Sequence, residues 1–215
     1  MNGASMRTRP FAIALATIGW CGVLLQCYLT LKQSFANGKT LGDGLWIFLS
    51  YFTVLTNLLV CTSLTAALTS ASSTIGKACL RPTLTTGLAT SIVFVGLGYH
   101  FLLRNSWNPQ GMQWVADVLL HYVVPVLYVI YWWLDSRKAP LRWTQPLIWS
   151  AYPAAYLAYA LIRGSILGSY PYAFIDVSKI GYSRTMLNSV GLLLVFLGLG
   201  LTFVALGRLR TRARA

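Results

Sequence analysis

The sequence predicts an all-α, polytopic membrane protein in which residues 1–215 form a single bundle of six transmembrane helices with both termini in the cytoplasm. Three observations carry this expectation. Hydrophobic residues make up 56% of the chain and charged residues only 10%, where an average soluble domain is roughly 25% charged. The apolar residues gather into runs of span length, and mean hydropathy is +0.62. The formal charge of +13 falls between those runs rather than along one face, which is the pattern of membrane orientation and argues against nucleic acid as a partner.

The first span reads as Phe11 to Leu31 (residues 11–31). Arg7 and Arg9 precede it and Ser34-Phe35-Ala36 follows as a small-x-small triplet, but the apolar run is too long for a signal-peptide core, so it is expected to stay. The second covers Leu45 to Leu68, the third Leu84 to Leu103 and the fourth Trp114 to Leu134. The fifth is the run Leu147 to Ile162, which with flanking residues spans 145–163, and the sixth is Met186 to Leu206. With the amino terminus inside, Arg7, Arg9, Lys77, Arg81, Arg137, Lys138, Arg142, Arg208, Arg210, Arg212 and Arg214 lie on the cytoplasmic side. Lys32, Lys39, Arg104, Arg163, Lys179 and Arg184 lie outside, and the excess favours both termini in the cytoplasm.

Trp46, Trp107, Trp114, Trp132, Trp133 and Trp143 fall near span ends and read as interfacial anchors. Gly19 with Gly22, and Gly191 with Gly198, are placed to let neighbouring helices approach closely. No repeat relates the first three spans to the last three, which argues against a transporter of inverted halves. Cys21, Cys27 and Cys61 lie in apolar runs and Cys79 in a short loop, so free thiols are expected; no metal or cofactor spacing is present.

With loops this short, function has to sit among the helices. An ionisable residue within a span costs ~2.5–3.5 kcal/mol at the centre, so Asp117 needs a partner or a purpose. His121, one turn on, supplies one: the carboxylate can accept from one imidazole nitrogen and leave the other free for a proton. Pro125 has no N–H, which leaves the carbonyl of His121 without its helical donor and predicts a kink. Thr53 and Asn57 share a face of the second span. At 1.5 Å per residue Thr53 lies ~12 Å and His121 ~10 Å from the outer surface, so the two can meet at one level. A hydroxyl becomes a nucleophile when a base takes its proton, and a histidine held by a carboxylate is the usual base. Gln26, His100, Arg104, Arg163 and Asn188 add polarity to the same outer half. Asn57, Asn188 and His100 are candidate donors to an oxyanion, and Arg104 and Arg163 are candidates for a substrate carboxylate. The alternatives from other classes are a non-catalytic lipid or small-molecule carrier with Asp117 and His121 as its proton site, and a structural protein whose Arg208–Arg214 tail contacts anionic lipid.

Three segments of the chain resemble the androgen-induced, ADTRP-like family of six-span membrane proteins and its prokaryotic relatives. They are Tyr51-Phe52-Thr53 with Asn57, His121 ahead of Pro125, and Tyr170-Pro171-Tyr172-Ala173-Phe174-Ile175-Asp176. His121 stands one residue closer to its proline than in the eukaryotic pattern, and Ala173 stands where proline is usual. The resemblance implies a threonine-dependent hydrolase of fatty acid esters of hydroxy fatty acids or related long-chain esters. Thr53 would be the nucleophile and His121 the base, with membrane lipids as surroundings, no cofactor, and a bacterial cytoplasmic membrane as the location.

Overall fold

A computed structural model describes the backbone of residues 4–135 and 141–212 and the side chains of 8–135 and 141–211. Arg137, Lys138 and Arg214, used above for orientation, lie outside the described residues, as do the side chains of Arg7 and Arg212. Every regular element among the described residues is helical, and five helices are long and apolar enough to cross a bilayer.

Helix α1 (Ala4–Ala36) runs unbroken through the Ser34-Phe35-Ala36 triplet. A turn at Gly38, whose φ of 68° suits glycine, folds α2 (Leu41–Phe48) back onto α1. Thr40 caps α2 reciprocally with Asp43. Gly44 allows the close approach: a Cβ there would sit 2.7 Å from Leu31 Cδ2.

The second predicted span is not one helix. It divides into α2 and α3 (Phe52–Thr69), with Tyr51 extended at φ −93°, ψ 130°. Ser50 explains the stop locally, since its hydroxyl and N–H both turn back to the carbonyl of Ile47. A break between two helices leaves carbonyls without helical donors, and the tyrosines of a neighbouring helix cover them. Tyr156 donates to the carbonyl of Ser50 at 2.8 Å and Tyr159 to that of Leu49 at 3.4 Å.

After the short α4 (Thr74–Cys79), the third span is α5 (Pro82–Gly98), continued by a π turn over Tyr99–Leu103. The fourth comprises α6 (Met112–Val118), a π turn over Leu119–Val123 and α7 (Val124–Leu134). This corrects the expectation at Pro125. In the wider π register the missing N–H belongs to the carbonyl of Leu120, not His121. Asn57 supplies the substitute, its Nδ2 donating to Leu120 O at 3.2 Å and to Thr53 O at 2.9 Å.

The fifth predicted span is split at Ser150 into α8 (Gln145–Trp149) and α9 (Ala151–Leu167), and α9 alone is 17 residues. Helix α10 (Val177–Arg212) kinks at Gly181 (φ 73°). Gly19 and Gly22 do pack closely, with added Cβ atoms 2.5 Å from Cys61 Sγ and 3.0 Å from Leu120 Cδ2. Gly191 and Gly198 instead face open space, and the close approaches on α10 are Gly200 against Pro146 and Gly207 against Leu141. Trp132 is a core residue, 1% exposed and bonded to Thr86 Oγ1 at 2.9 Å, whereas the other five tryptophans read as anchors are exposed. The core joins Leu15, Val60, Ile92, Val124, Tyr128 and Phe203 across α1, α3, α5, α7 and α10.

Candidate functional site

Thr53 owes its availability to the break. Threonines inside membrane helices donate back to a carbonyl one turn earlier, and Thr56, Thr62, Thr65, Thr69 and Thr90 all do so. Thr53 is the second residue of α3, and the carbonyl four residues before it, on Leu49, lies outside the helix and accepts from Tyr159. Its hydroxyl makes no such back bond, and Tyr172 shares with it the walls of the cavities described next.

Two cavities meet at this residue. A polar one of about 770 Å³ is bounded by Thr53, Asp117, His121, Gln26 and Gln113, with Lys32 and Lys39 toward the loops. An apolar one of about 240 Å³ lies between α3, α5, α9 and α10, bounded by Phe94, Leu157, Phe174 and Val190 among others. Thr53, Tyr99, Leu103 and Tyr172 belong to both walls. The apolar cavity borders Leu102, Met186 and Val190, which are exposed on the outside of the bundle.

His121 sits on the π turn with Nδ1 2.9 Å from the carbonyl of Asp117 and 3.3 Å from its Oδ1. The two distances rank the partners: with the proton on Nδ1, the main-chain oxygen receives it, and Oδ1, on a residue only 3% exposed, is left without a hydrogen bond. The helix therefore sets the tautomer and the Asp117 side chain only lies beside the ring, a different division of labour from the carboxylate-held imidazole the sequence suggested. Nε2 carries no hydrogen bond among the described residues, and none joins His121 to Thr53.

The ring of Tyr99 stacks on His121, centroids 4.0 Å apart and 20° from parallel. Its hydroxyl lies in range of Asp117 and Trp107. Both residues stand on π turns, so each widened turn presents one ring to the other. Gly96 lets the helices close, since a Cβ there would be 3.0 Å from the His121 carbonyl. An aromatic pair of this kind contributes about 0.5–1.5 kcal/mol. Tyr99→Leu should therefore lower any His121-dependent turnover roughly tenfold, while Tyr99→Phe, which keeps the stack, should lose less; steady-state rates of the two variants check this.

The remaining predicted site residues are placed elsewhere. Asn57 is wholly buried with its amide committed to two carbonyls. Asn188 donates to the carbonyl of Phe174 at 2.9 Å, and Arg163 to that of Ser169 at 3.0 Å, so both fasten the loop before α10. His100 bonds Arg104 and Tyr122, and neither His100 nor Arg104 borders the two cavities.

Asp176 closes that loop. Hydrogen bonds from Ser178 hold its carboxyl below the ordinary carboxylate value, with Lys179 adding charge. A lowered folded pKa gives stability that is present above the ordinary value of 3.8 and lost as pH falls through the folded one. Thermal unfolding followed from about pH 5 down to about pH 2 should show that loss in wild type and less of it in Asp176→Asn.

Sequence reasoning missed Tyr99, Tyr156 and any role for Tyr172. The spacing of Tyr152, Tyr156 and Tyr159, one face of a helix, was the available signal for α9. No family model, no curated protein and no solved structure matches this chain.

Proposed function

We propose that the chain is an intramembrane lipid ester hydrolase in which Thr53 is the nucleophile and His121 the general base. The observation that carries this is the position of Thr53: a hydroxyl without a back bond, on the wall between an apolar cavity and a polar one that also holds His121 and Asp117. An ester is both apolar and polar, and its carbonyl belongs at such a boundary.

Thr53 Oγ bonds to the carbonyl carbon as its proton passes to His121 Nε2. The tetrahedral species collapses, the alcohol leaves with that proton, and an acyl-threonine remains. Water reaching the site through the polar cavity then gives a proton to His121 and its oxygen to the acyl carbon, releasing the acid and restoring Thr53. Catalytic hydrogen bonds are often long in a free enzyme and tighten with substrate, so the lack of a Thr53–His121 bond is compatible with this route. Long-chain esters, those of hydroxy fatty acids included, fit the apolar surroundings.

The same proposal takes α8 and α9 together as a further crossing, giving six, and places both termini in the cytoplasm of a bacterial cell by the lysine and arginine count. It makes the chain a prokaryotic relative of the ADTRP-like family. Incubating purified protein with a fluorophosphonate probe tests it: the adduct should map to Thr53 and be lost in Thr53→Ala and His121→Ala. An adduct elsewhere, or equal labelling of the variants, rules it out.

One observation favours a second possibility. A buried carboxyl group, one oxygen of which makes no hydrogen bond and lies 3.3 Å from His121 Nδ1, in a large polar cavity also suits a carrier that exchanges protons at Asp117 and His121. Proton movement driven by substrate in liposomes, without turnover, would support it.

A further inference from the structure

An acyl transfer site needs a donor for the oxygen that becomes negative, and the three residues the sequence offered are all committed elsewhere. Asn57 bonds the carbonyls of Thr53 and Leu120, Asn188 that of Phe174, and His100 pairs with Arg104 and Tyr122 away from the cavities. One side-chain donor does lie beside Thr53. We propose that Tyr172 is a catalytic residue of the site, its phenol donating to the carbonyl oxygen of the ester as Thr53 attacks; this rests on the hydrolase function proposed above.

Tyr172 borders both cavities, as Thr53 does. Its ring contacts Tyr51, the residue that caps α3, so Tyr172 stands at the start of that helix beside Phe52 and Thr53, which share the wall of the apolar cavity with it. The first-turn N–H groups of that helix have no partner within it, and their partial positive charge favours an anion at the same point. The phenol is held rigidly, as preorganised stabilisation requires. Its ring stacks on Phe174 at 5.1 Å and 6°, and meets Tyr51 edge-on at 6.0 Å and 69°. Asn188 fixes the carbonyl of Phe174 and Arg163 that of Ser169, so the loop carrying Tyr172 is fastened on both sides. Asn188 is then a positioning residue acting through Phe174 and Tyr172.

As Thr53 Oγ bonds to carbon, the carbonyl π electrons move onto oxygen and the Thr53 proton goes to His121. Tyr172 keeps its own proton throughout and donates a hydrogen bond that is strongest when the oxygen is fully charged. On collapse the electrons return and the alcohol departs with the proton held by His121.

Tyr172→Phe keeps the ring and removes the donor. In the intact purified protein it should lower kcat for a long-chain p-nitrophenyl ester ~10²–10³-fold with KM little changed, the range seen when one oxyanion donor is removed. Fluorophosphonate labelling of Thr53 should slow by a similar factor, and the melting temperature should hold. Fluorotyrosine at position 172 leaves the shape intact and changes the acidity of the hydroxyl, so kcat should respond there even if the phenylalanine variant folds poorly. Turnover within about threefold of wild type in both, or a loss that follows KM or melting temperature instead of kcat, overturns the assignment while leaving the hydrolase in place. A wild-type protein that cleaves no ester removes the hydrolase and this inference together.

Discussion

Replacing Thr53 with alanine is expected to lower kcat for lipid ester hydrolysis ~10³-fold or more with KM nearly unchanged. The hydroxyl forms the covalent bond, so its loss removes the acyl-enzyme route, while the walls that receive substrate stay as they are. His121→Ala should fall about as far, because the attacking oxygen then keeps its proton. The double variant should be no slower than the worse single one, since the two side chains serve one proton transfer and their effects do not add. Thr53→Ser restores the hydroxyl and should restore much of the rate. Thr56, one turn along, is the control: its hydroxyl is bound to the Phe52 carbonyl at 2.8 Å and to Tyr152 at 2.9 Å, so it is not available for attack. Steady-state rates of this set, measured on one detergent preparation, decide the matter. A Thr53→Ala enzyme within tenfold of wild type would place the chemistry on another group.

The second large effect is expected at Gly164, which borders neither cavity. This residue of α9 lies under the ring of Tyr170, and a Cβ there would come within 2.1 Å of Cε1 of that ring. Gly164→Ala therefore pushes Tyr170 outward and strains the neighbouring bond from Arg163 to the carbonyl of Ser169. Overpacking of this kind costs roughly 1–3 kcal/mol. The rate should suffer beyond what that figure implies, because Tyr172 is two residues along the displaced loop. Gly191→Ala, which adds a methyl to open space on α10, should change neither melting temperature nor rate. Thermal unfolding and kcat for the pair make the test, and a Gly164→Ala protein matching wild type in both would show that Tyr170 yields freely.

The helical, membrane character of the fold was legible because it depends on composition and on runs of apolar residues, and both survive without tertiary information. The interruptions were not. Nothing in Leu45 to Leu68 resembles a helix stop by propensity, since the stop depends on Ser50 turning back to Ile47 and on carbonyls covered by Tyr156 and Tyr159, about a hundred residues downstream. The fifth span divides at Ser150 for reasons equally absent from hydropathy. At the site, Thr53, Asp117 and His121 were found because buried polarity is expensive and therefore conspicuous. Asn57, Asn188 and Arg163 were equally conspicuous but are used up on main-chain carbonyls, and only coordinates reveal which polar side chains are already engaged. Tyr99 escaped notice, and Tyr172 was given no role beyond its place in a resembling segment, for the opposite reason: in a chain with twelve tyrosines, one more aromatic ring is no signal until its neighbours are known.

The bond from Asn57 to the carbonyl of Leu120 has a meaning for descent as well as for stability. In effect one helix lends another the donor that Pro125 lacks, so positions far apart in the chain are tied as a compensatory pair. Were proline to give way to alanine, the fourth helix would regain its own N–H and asparagine would become redundant. Were asparagine lost first, the Leu120 carbonyl would be left without either donor. Of the two mutational orders, only the one that begins at residue 125 keeps every intermediate sound.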